Sequence, residues 1–288
     1  MKITGRVKAP SGFLLLLRCI KYNTTLYLLL VPVLLYFVIF KYIPMLGIVM
    51  AFQDYKFSTG MFASEWVGLR HFINLFQSPD FYRIFANTVL LNVYGIVFGF
   101  PVPIILALML NEVRNGAFKK TVQSILYIPF FISWVVLGGI VITMLSPRSG
   151  VINTIIPFFG GKPIFFMMDN FWWVVSYVIS GIWRGAGWGT IIYLAAIAGI
   201  DQELYEASAI DGAGRLRQMF CVTLPGIKST IAVLLILNIG NIMNVGFEQI
   251  YILQNDAVRG VSEVFSTYEY PFGYAVDAVQ LHRGAGPV

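Results

Sequence analysis

Charge is scarce in this chain. Asp, Glu, Lys and Arg make up 12% of its 288 residues, about half the roughly 25% of a soluble domain. A fold surrounded by water would lack the polar surface to cover itself. Histidine and cysteine are scarcer still, two of each. Cys19 and Cys221 lie far apart and show no metal or redox spacing, so neither a zinc site nor a compartment follows from them. The sequence also lacks a phosphate loop: Gly160-Gly161-Lys162 has neither the earlier glycine nor the hydroxyl residue, and Gly185, Gly187 and Gly189 do not form Gly-x-Gly-x-x-Gly. There is no His-Glu-x-x-His, no paired metal carboxylates and no Ser/His/Asp set. These absences argue against ATP hydrolysis or covalent catalysis by this polypeptide alone, and against a resident cofactor or metal. No internal repeat, low-complexity tract or second soluble domain is visible.

What the chain has instead is apolar length. Hydrophobic residues make up 58% of it and its mean hydropathy is +0.76, which points to an all-α integral membrane protein. Five spans are expected, near 26–52 (with Lys41, Pro32 and Pro44), 86–110 (with Pro101 and Pro103), 122–145 (with Pro129), 171–200 (with Arg184 and several glycines) and 229–253. At about 1.5 Å per residue each is long enough for a hydrocarbon core of about 30 Å, and the prolines are expected to kink them. The basic stretch 1–21 contains only a short apolar run, Phe13–Leu17, and no small-residue cleavage site follows it. It reads as part of an uncleaved cytoplasmic arm, residues 1–25. A transmembrane domain, 26–254, and an atypical tail, 255–288, complete the expected organisation.

With the N-terminus inside, segments 1–25, 111–121 and 201–228 hold eleven Lys and Arg, against seven in the longer outer segments, as the positive-inside rule requires. The outer stretches Gln53–Phe85 and Ser146–Asn170 are rich in aromatics, glycine and proline. Short interfacial helices are expected there, with Trp66, Trp172 and Trp173 at an aromatic belt.

The 201–228 segment thus faces the cytoplasm, and its polar part, Tyr205–Pro225, is the longest charged interruption in the second half. Asp201 is a plausible N-cap ahead of Glu203. Gly212 and Gly214 permit a sharp turn after Tyr205–Ile210. Arg215–Val222 can resume as an amphipathic helix with Leu216, Met219 and Phe220 on one side, ended by Pro225. Ala207, Ser208 and Ala209 would let a soluble partner approach closely, and Glu206 would orient it. An ordinary inter-span loop is the competing reading.

Within the spans, Arg184 is costly in lipid. It serves either as a pathway or gating residue, or as a structural bond to a carboxylate or to backbone carbonyls. Asn238, Asn241, Asn244 and Glu248, with spacing i, i+3, i+6, i+10, are expected as one polar stripe on span five. That stripe suits a wet pathway for hydroxyl-rich ligands or interhelical hydrogen bonding. Tyr177, Ser180 and Trp183 are weaker pathway candidates.

Glu206-Ala207-Ser208, then Gly212, then Val222-x-Leu224-Pro225 resembles the EAA signature of binding-protein-dependent ABC transporter permeases: Glu-Ala-Ala, three residues, Gly, nine residues, Ile-x-Leu-Pro. Every spacing agrees, with Ser208 and Val222 as mild departures. The texts Leu110–Asn115, Gln123–Trp134, Gly150–Asn153 and Ile182–Gly189 resemble the sugar and polysaccharide branch, and the likeness covers roughly residues 20 to 270. It implies a bundle like that of a type I ABC importer permease, in a bacterial inner membrane. Glu206, Ala207, Ser208, Asp211, Gly212, Leu224 and Pro225 would couple it to a separate ATPase. The implied partners are a second permease, two ATPases that bind the ATP, and an extracytoplasmic solute-binding protein. Oligosaccharides are the expected cargo; a non-sugar solute, or a membrane scaffold or enzyme, are the alternatives. The family has a sixth span after a stretch resembling Glu263–Tyr270. Beyond Tyr270 no apolar run of about 18 residues remains, so a truncated or frame-shifted product is expected.

Overall fold

The computed structural model describes residues 22–56 and 58–269. The expected N-terminal arm up to Lys21, and the tail from Tyr270, on which the expectation of a missing sixth span falls, lie outside the described residues. Two compact units divide at Ser78–Pro79.

In the first unit, helix α1 (Thr24–Phe37) runs on through a π-helical turn (Val38–Tyr42), Ile43–Met45 and a 3-10 stretch (Leu46–Phe52). The 29 residues of Thr24–Phe52 form one apolar rod with no buried stripe. A helix hydrophobic on all sides needs lipid or other protein around it. Strand β1 (Gln53–Asp54) pairs antiparallel with β2 (Glu65–Trp66), with α2 (Gly60–Ala63) between them and α3 (Arg70–Gln77) after them. The short helices match expectation; the strand pair was not foreseen. His71 Nε2 lies 3.1 Å from the Gln53 carbonyl, tying α3 to the hairpin.

The second unit opens with α4 (Pro79–Tyr94), a π-helical turn (Gly95–Gly99) and α5 (Pro101–Glu112), which form one long apolar rod. Next come α6 (Gly116–Phe131) and α7 (Trp134–Met144), bent by 103°, and the short α8 (Val151–Ile155). The central helix is α9 (Asn170–Ala198), packed on both α5 and α6. Then follow α10 (Gln202–Ile210), α11 (Arg215–Gln218), α12 (Lys228–Gly240), α13 (Phe247–Leu253) and α14 (Arg259–Ser262). Another helix begins at 265. Among the described residues two helices are long and apolar enough to cross a membrane, or four if each bent pair counts as one. Helix α9, at 29 residues, has the length but carries Arg184 and several glycines through its middle.

Two expected spans need correction. Span three is broken at Ile132–Ser133, three residues beyond Pro129. Span five is not one helix. Helix α12 ends at Gly240, the chain turns through 241–243, and α13 starts only at Phe247. Asn238 and Asn241 donate their side-chain amides to the carbonyls of Leu234 and Leu237. Such back-bonding, beside flexible Gly240 and Gly246, weakens helix continuation.

The prolines act less as kinks than expected. Each described π-helical turn ends two residues before one: Val38–Tyr42 before Pro44, Gly95–Gly99 before Pro101, Met219–Thr223 before Pro225. Proline lacks an N–H and its ring crowds the carbonyl four residues back. Widening the preceding turn relieves this, and the amides of Ile43 and Leu224 bond to carbonyls five residues earlier, Val38 and Met219. The rod continues instead of breaking.

Helix α9 carries both apolar cores of this unit. Near its start, Trp173 and Tyr177 stack in a cluster with Leu137, Ile250 and Val264. Trp173 Nε1 donates to the Leu253 carbonyl at 2.8 Å. Near its end, Tyr193 and Ile197 pack with Ala107, Leu108 and Ile227. Between the clusters Gly187 lies against the backbone of Leu126 on α6, so close that a Cβ would overlap that carbonyl. Buried Asn153 ties the loop after α7 together: its amide donates to the carbonyls of Leu145, Ser146 and Ile164, and its oxygen accepts from the Ile164 amide. Beside α4, the buried Glu263 carboxylate accepts from Arg83 at 2.7 Å and Arg259 at 3.0 Å, anchoring the last described segment.

Candidate functional site

The segment after α9 forms a compact bracket. Asp201 caps α10 by accepting from the Glu203 amide at 3.0 Å, as expected from its position. The other end closes in the two-bond pattern of a helix stopped by a left-handed residue. The Ala213 amide bonds to Ser208 O at 2.9 Å and the Gly212 amide to Ala209 O at 3.0 Å, while Gly212 has φ +77°. That conformation costs a residue with a Cβ about 1–2 kcal/mol, which is the physical reason for glycine here. Gly214 has φ −71° and ψ 169°, open to other residues. The turn therefore needs one glycine, not two.

Two contacts close the bracket on itself and a third fixes it to the bundle. The hydroxyls of Tyr205 and Thr223 lie 3.0 Å apart, and Thr223 is 1% exposed. Gln218 Nε2 donates to the Tyr205 carbonyl at 3.4 Å. Met219 and Leu224 pack on the α9 core cluster of Tyr193, Ile197 and Ile227. Nothing in the sequence spacing pairs Tyr205 with Thr223; the pairing depends on the turn at Gly212 folding the chain back.

The return arm corrects the amphipathic helix expected over Arg215–Val222. Helix α11 gives way to the π-helical turn at Met219, so Leu216 (71% exposed) and Phe220 (60%) face outward while Met219 faces in. Nor does Pro225 end the helix. Leu224–Gly226 remains helical, and the chain bends by 57° at Ile227. At Gly226 a Cβ would lie 2.6 Å from Ile200 Cδ1, so a larger residue there would have to displace that side chain. On the free side Glu206, Ala207, Ala209 and Asp211 are exposed, beside Ile210 at 87% exposure. The bracket thus offers two carboxylates, two small residues and an apolar tip on a braced frame.

The expected pathway residues do not all come together. Asn238 lines a cleft of about 330 Å³ with Gly181, Gly185 and Gly189 of α9 and with Gly95 and Gly99. Tyr177 is buried in the core instead. Its carbonyl accepts from Gln249 Nε2 at 2.8 Å, and the same amide lies 3.3 Å from Ser180 Oγ. Asn241, Asn244 and Glu248 are exposed beyond the end of the α12 helix or at its edge, so the four residues form no stripe on one helical face. Arg184, half-buried at the midpoint of α9, donates its Nε to the Ile132 carbonyl at 3.3 Å, where α6 breaks. Its guanidinium lies 5.0 Å from the Trp134 ring centre and 5.6 Å from that of Phe130. Among the described residues no carboxylate pairs with it.

Comparison with known proteins agrees with this geometry. Residues 99–278 match the family described as binding-protein-dependent transport system inner membrane component. The chain is 52% identical over 248 residues to the polygalacturonan/rhamnogalacturonan transport system permease protein YteP of Bacillus subtilis, covering 86% of this chain and 77% of that protein. It is 46% identical over 267 residues to Protein LplB of the same organism, covering 93% and 84%. Among solved structures, a bacterial ABC transporter involved in import of the acidic polysaccharide alginate superposes with a TM-score of 0.81 at 42% identity, covering 90% of this chain and 87% of that one. A second structure of a bacterial alginate ABC transporter, in complex with its pentasaccharide-bound periplasmic protein, gives 0.82. With its helical bundle, its braced bracket and a match over more than half its length, the chain belongs to the family of inner-membrane components of binding-protein-dependent transport systems.

Proposed function

We propose that this chain is a permease subunit of an ATP-driven importer of oligosaccharides, and that the 201–226 bracket receives the motion of a separate ATPase. The observation that carries this is the bracket itself. It exposes Glu206, Ala207 and Ile210 while its Tyr205–Thr223 bond closes the frame and its Met219 and Leu224 packing ties it to α9. A push on the tip is therefore passed to the helix that lines the cleft, without being absorbed in a loose loop. The relatives' polygalacturonan and alginate systems support an oligosaccharide cargo. The periplasmic protein bound in the alginate complex supports a solute-binding partner.

The rest of the assembly is a second permease and two ATPases that bind the ATP, with the N-terminus and bracket in the cytoplasm of a bacterial cell. The glycine-lined cleft with Asn238 is this subunit's share of the pathway, and Arg184 stands beside it on α9. Catalysis lies in the partners.

Uptake of a panel of oligosaccharides by vesicles carrying the complete importer tests this reading. Gly185 lines the cleft, and a Cβ there meets nothing within 4 Å. Gly185→Leu should therefore fill the cleft without disturbing the fold. Uptake should fall about tenfold or more while the melting temperature moves little, because glycine loses about 1 kcal/mol of helix propensity against other residues. Full uptake by Gly185→Leu would remove the cleft from the pathway.

A further inference from the structure

A guanidinium at the midpoint of a membrane helix is expensive unless an anion or water compensates it. Arg184 uses one of its five N–H groups on the Ile132 carbonyl and rests against two aromatic faces. Those contacts hold the side chain in place and leave its charge unneutralised, since no described carboxylate reaches it. One turn further along α9, Trp188 stacks on Phe130 with ring centres 4.5 Å apart and planes 6° from parallel. Phe131 meets the same indole edge-on. Trp188 remains 44% exposed and Arg184 is half-buried, so neither is closed off by its neighbours. The close approach of Gly187 to the Leu126 backbone presses α9 against α6 here and so brings the cation and the stacked rings to one place.

We infer that Arg184 and the Phe130–Trp188 stack form a subsite for a sugar ring that carries a carboxylate, so that the importer's cargo is an acidic oligosaccharide. The inference rests on the reading of α9 as a pathway helix. A pyranose ring presents C–H groups suited to an aromatic face, and a guanidinium forks onto a carboxylate through two parallel N–H···O bonds. The free edge of Arg184 supplies that fork, while Nε stays on Ile132. Arg184 lies at the midpoint of the 29-residue α9, a position that favours a pathway anion over a lipid headgroup.

The test is uptake by the complete importer in vesicles, wild type against Arg184→Gln, of oligogalacturonate and of a neutral oligogalactan of the same length. Stimulation of ATPase activity by the solute-binding protein is followed as the assembly control. Wild type should carry oligogalacturonate. Arg184→Gln should lower that uptake by about tenfold to a hundredfold, the weight of a charge-assisted pair, with neutral uptake and ATPase stimulation unchanged. Equal loss for both sugars, or no loss, overturns the subsite and leaves the importer reading standing. A wild type that carries only the neutral chain does the same. A wild type that carries no oligosaccharide overturns both. Should Arg184→Gln fail to assemble, Arg184→Lys keeps the charge without the fork: the acidic-to-neutral uptake ratio should then fall several-fold, and an unchanged ratio overturns the inference.

Discussion

Gly212→Val in the assembled importer should reduce transport, and the ATPase activity coupled to it, by about tenfold or more, whereas Gly214→Ala should leave both near wild type. The two glycines are two residues apart in the same turn, and the sequence treats them alike. The structure does not. Gly212 has φ +77° and closes α10 through two backbone bonds, while Gly214 sits in ordinary extended backbone. A β-branched residue at φ +77° is strained by roughly 1–3 kcal/mol. The cheapest relief is to unwind the last turn of α10, which carries Ser208, Ala209 and Ile210. The frame would then lose the fold-back that brings Tyr205 to Thr223. Because the strain is local, the complex should still assemble, and assembly measured by co-purification separates lost coupling from lost folding. Equal effects at the two positions would show that the left-handed turn is irrelevant to coupling.

Gly187→Val should prevent the bundle from forming, costing at least about 3 kcal/mol, the upper end of ordinary overpacking. A side chain there has no rotamer that avoids the Leu126 carbonyl, since the clash is between the Cβ and fixed backbone. Helices α9 and α6 would have to separate, pulling Arg184 off the Ile132 carbonyl and Trp188 off Phe130. Gly185→Ala, two residues earlier, meets open space and should be neutral or slightly stabilising. The yield and melting temperature of the detergent-purified complex measure the contrast. A stable Gly187→Val protein would mean that the helices do not approach this closely.

Much of the bundle was legible because lipid imposes a simple rule: apolar length means helix. The spans near 26–52 and 86–110 appear as Thr24–Phe52 and Pro79–Glu112, and the stretch near 171–200 as the 29-residue helix Asn170–Ala198, which has the length of a span but not its apolarity. The rule cannot see a break that keeps the apolar text intact, and so spans three and five read as continuous. Ile132–Ser133 is no less apolar or polar than its surroundings, and the turn at 241–243 follows from asparagines bonding back to their own helix. Periodicity then misled, because Asn238, Asn241, Asn244 and Glu248 share a face only if the helix continues. Proline misled in a related way. Pro44, Pro101 and Pro225 each follow a widened turn, and before Pro44 and Pro225 that turn is closed by a hydrogen bond five residues back. The bracket was legible in outline through Asp201, Gly212 and the small residues. Its bracing was not, because the Tyr205–Thr223 bond joins residues 18 apart across a turn whose geometry no spacing encodes.

The central claim is that the exposed tip of α10 docks on an ATPase. The most direct measurement places a photoactivatable crosslinking amino acid at Ile210, 87% exposed and outside the bracing contacts, in the complete importer. Irradiation should yield an adduct with the ATPase subunit, and its amount should change when ATP is supplied. Adducts confined to lipid, the second permease or the solute-binding protein, with none to the ATPase, would contradict the docking role of the bracket.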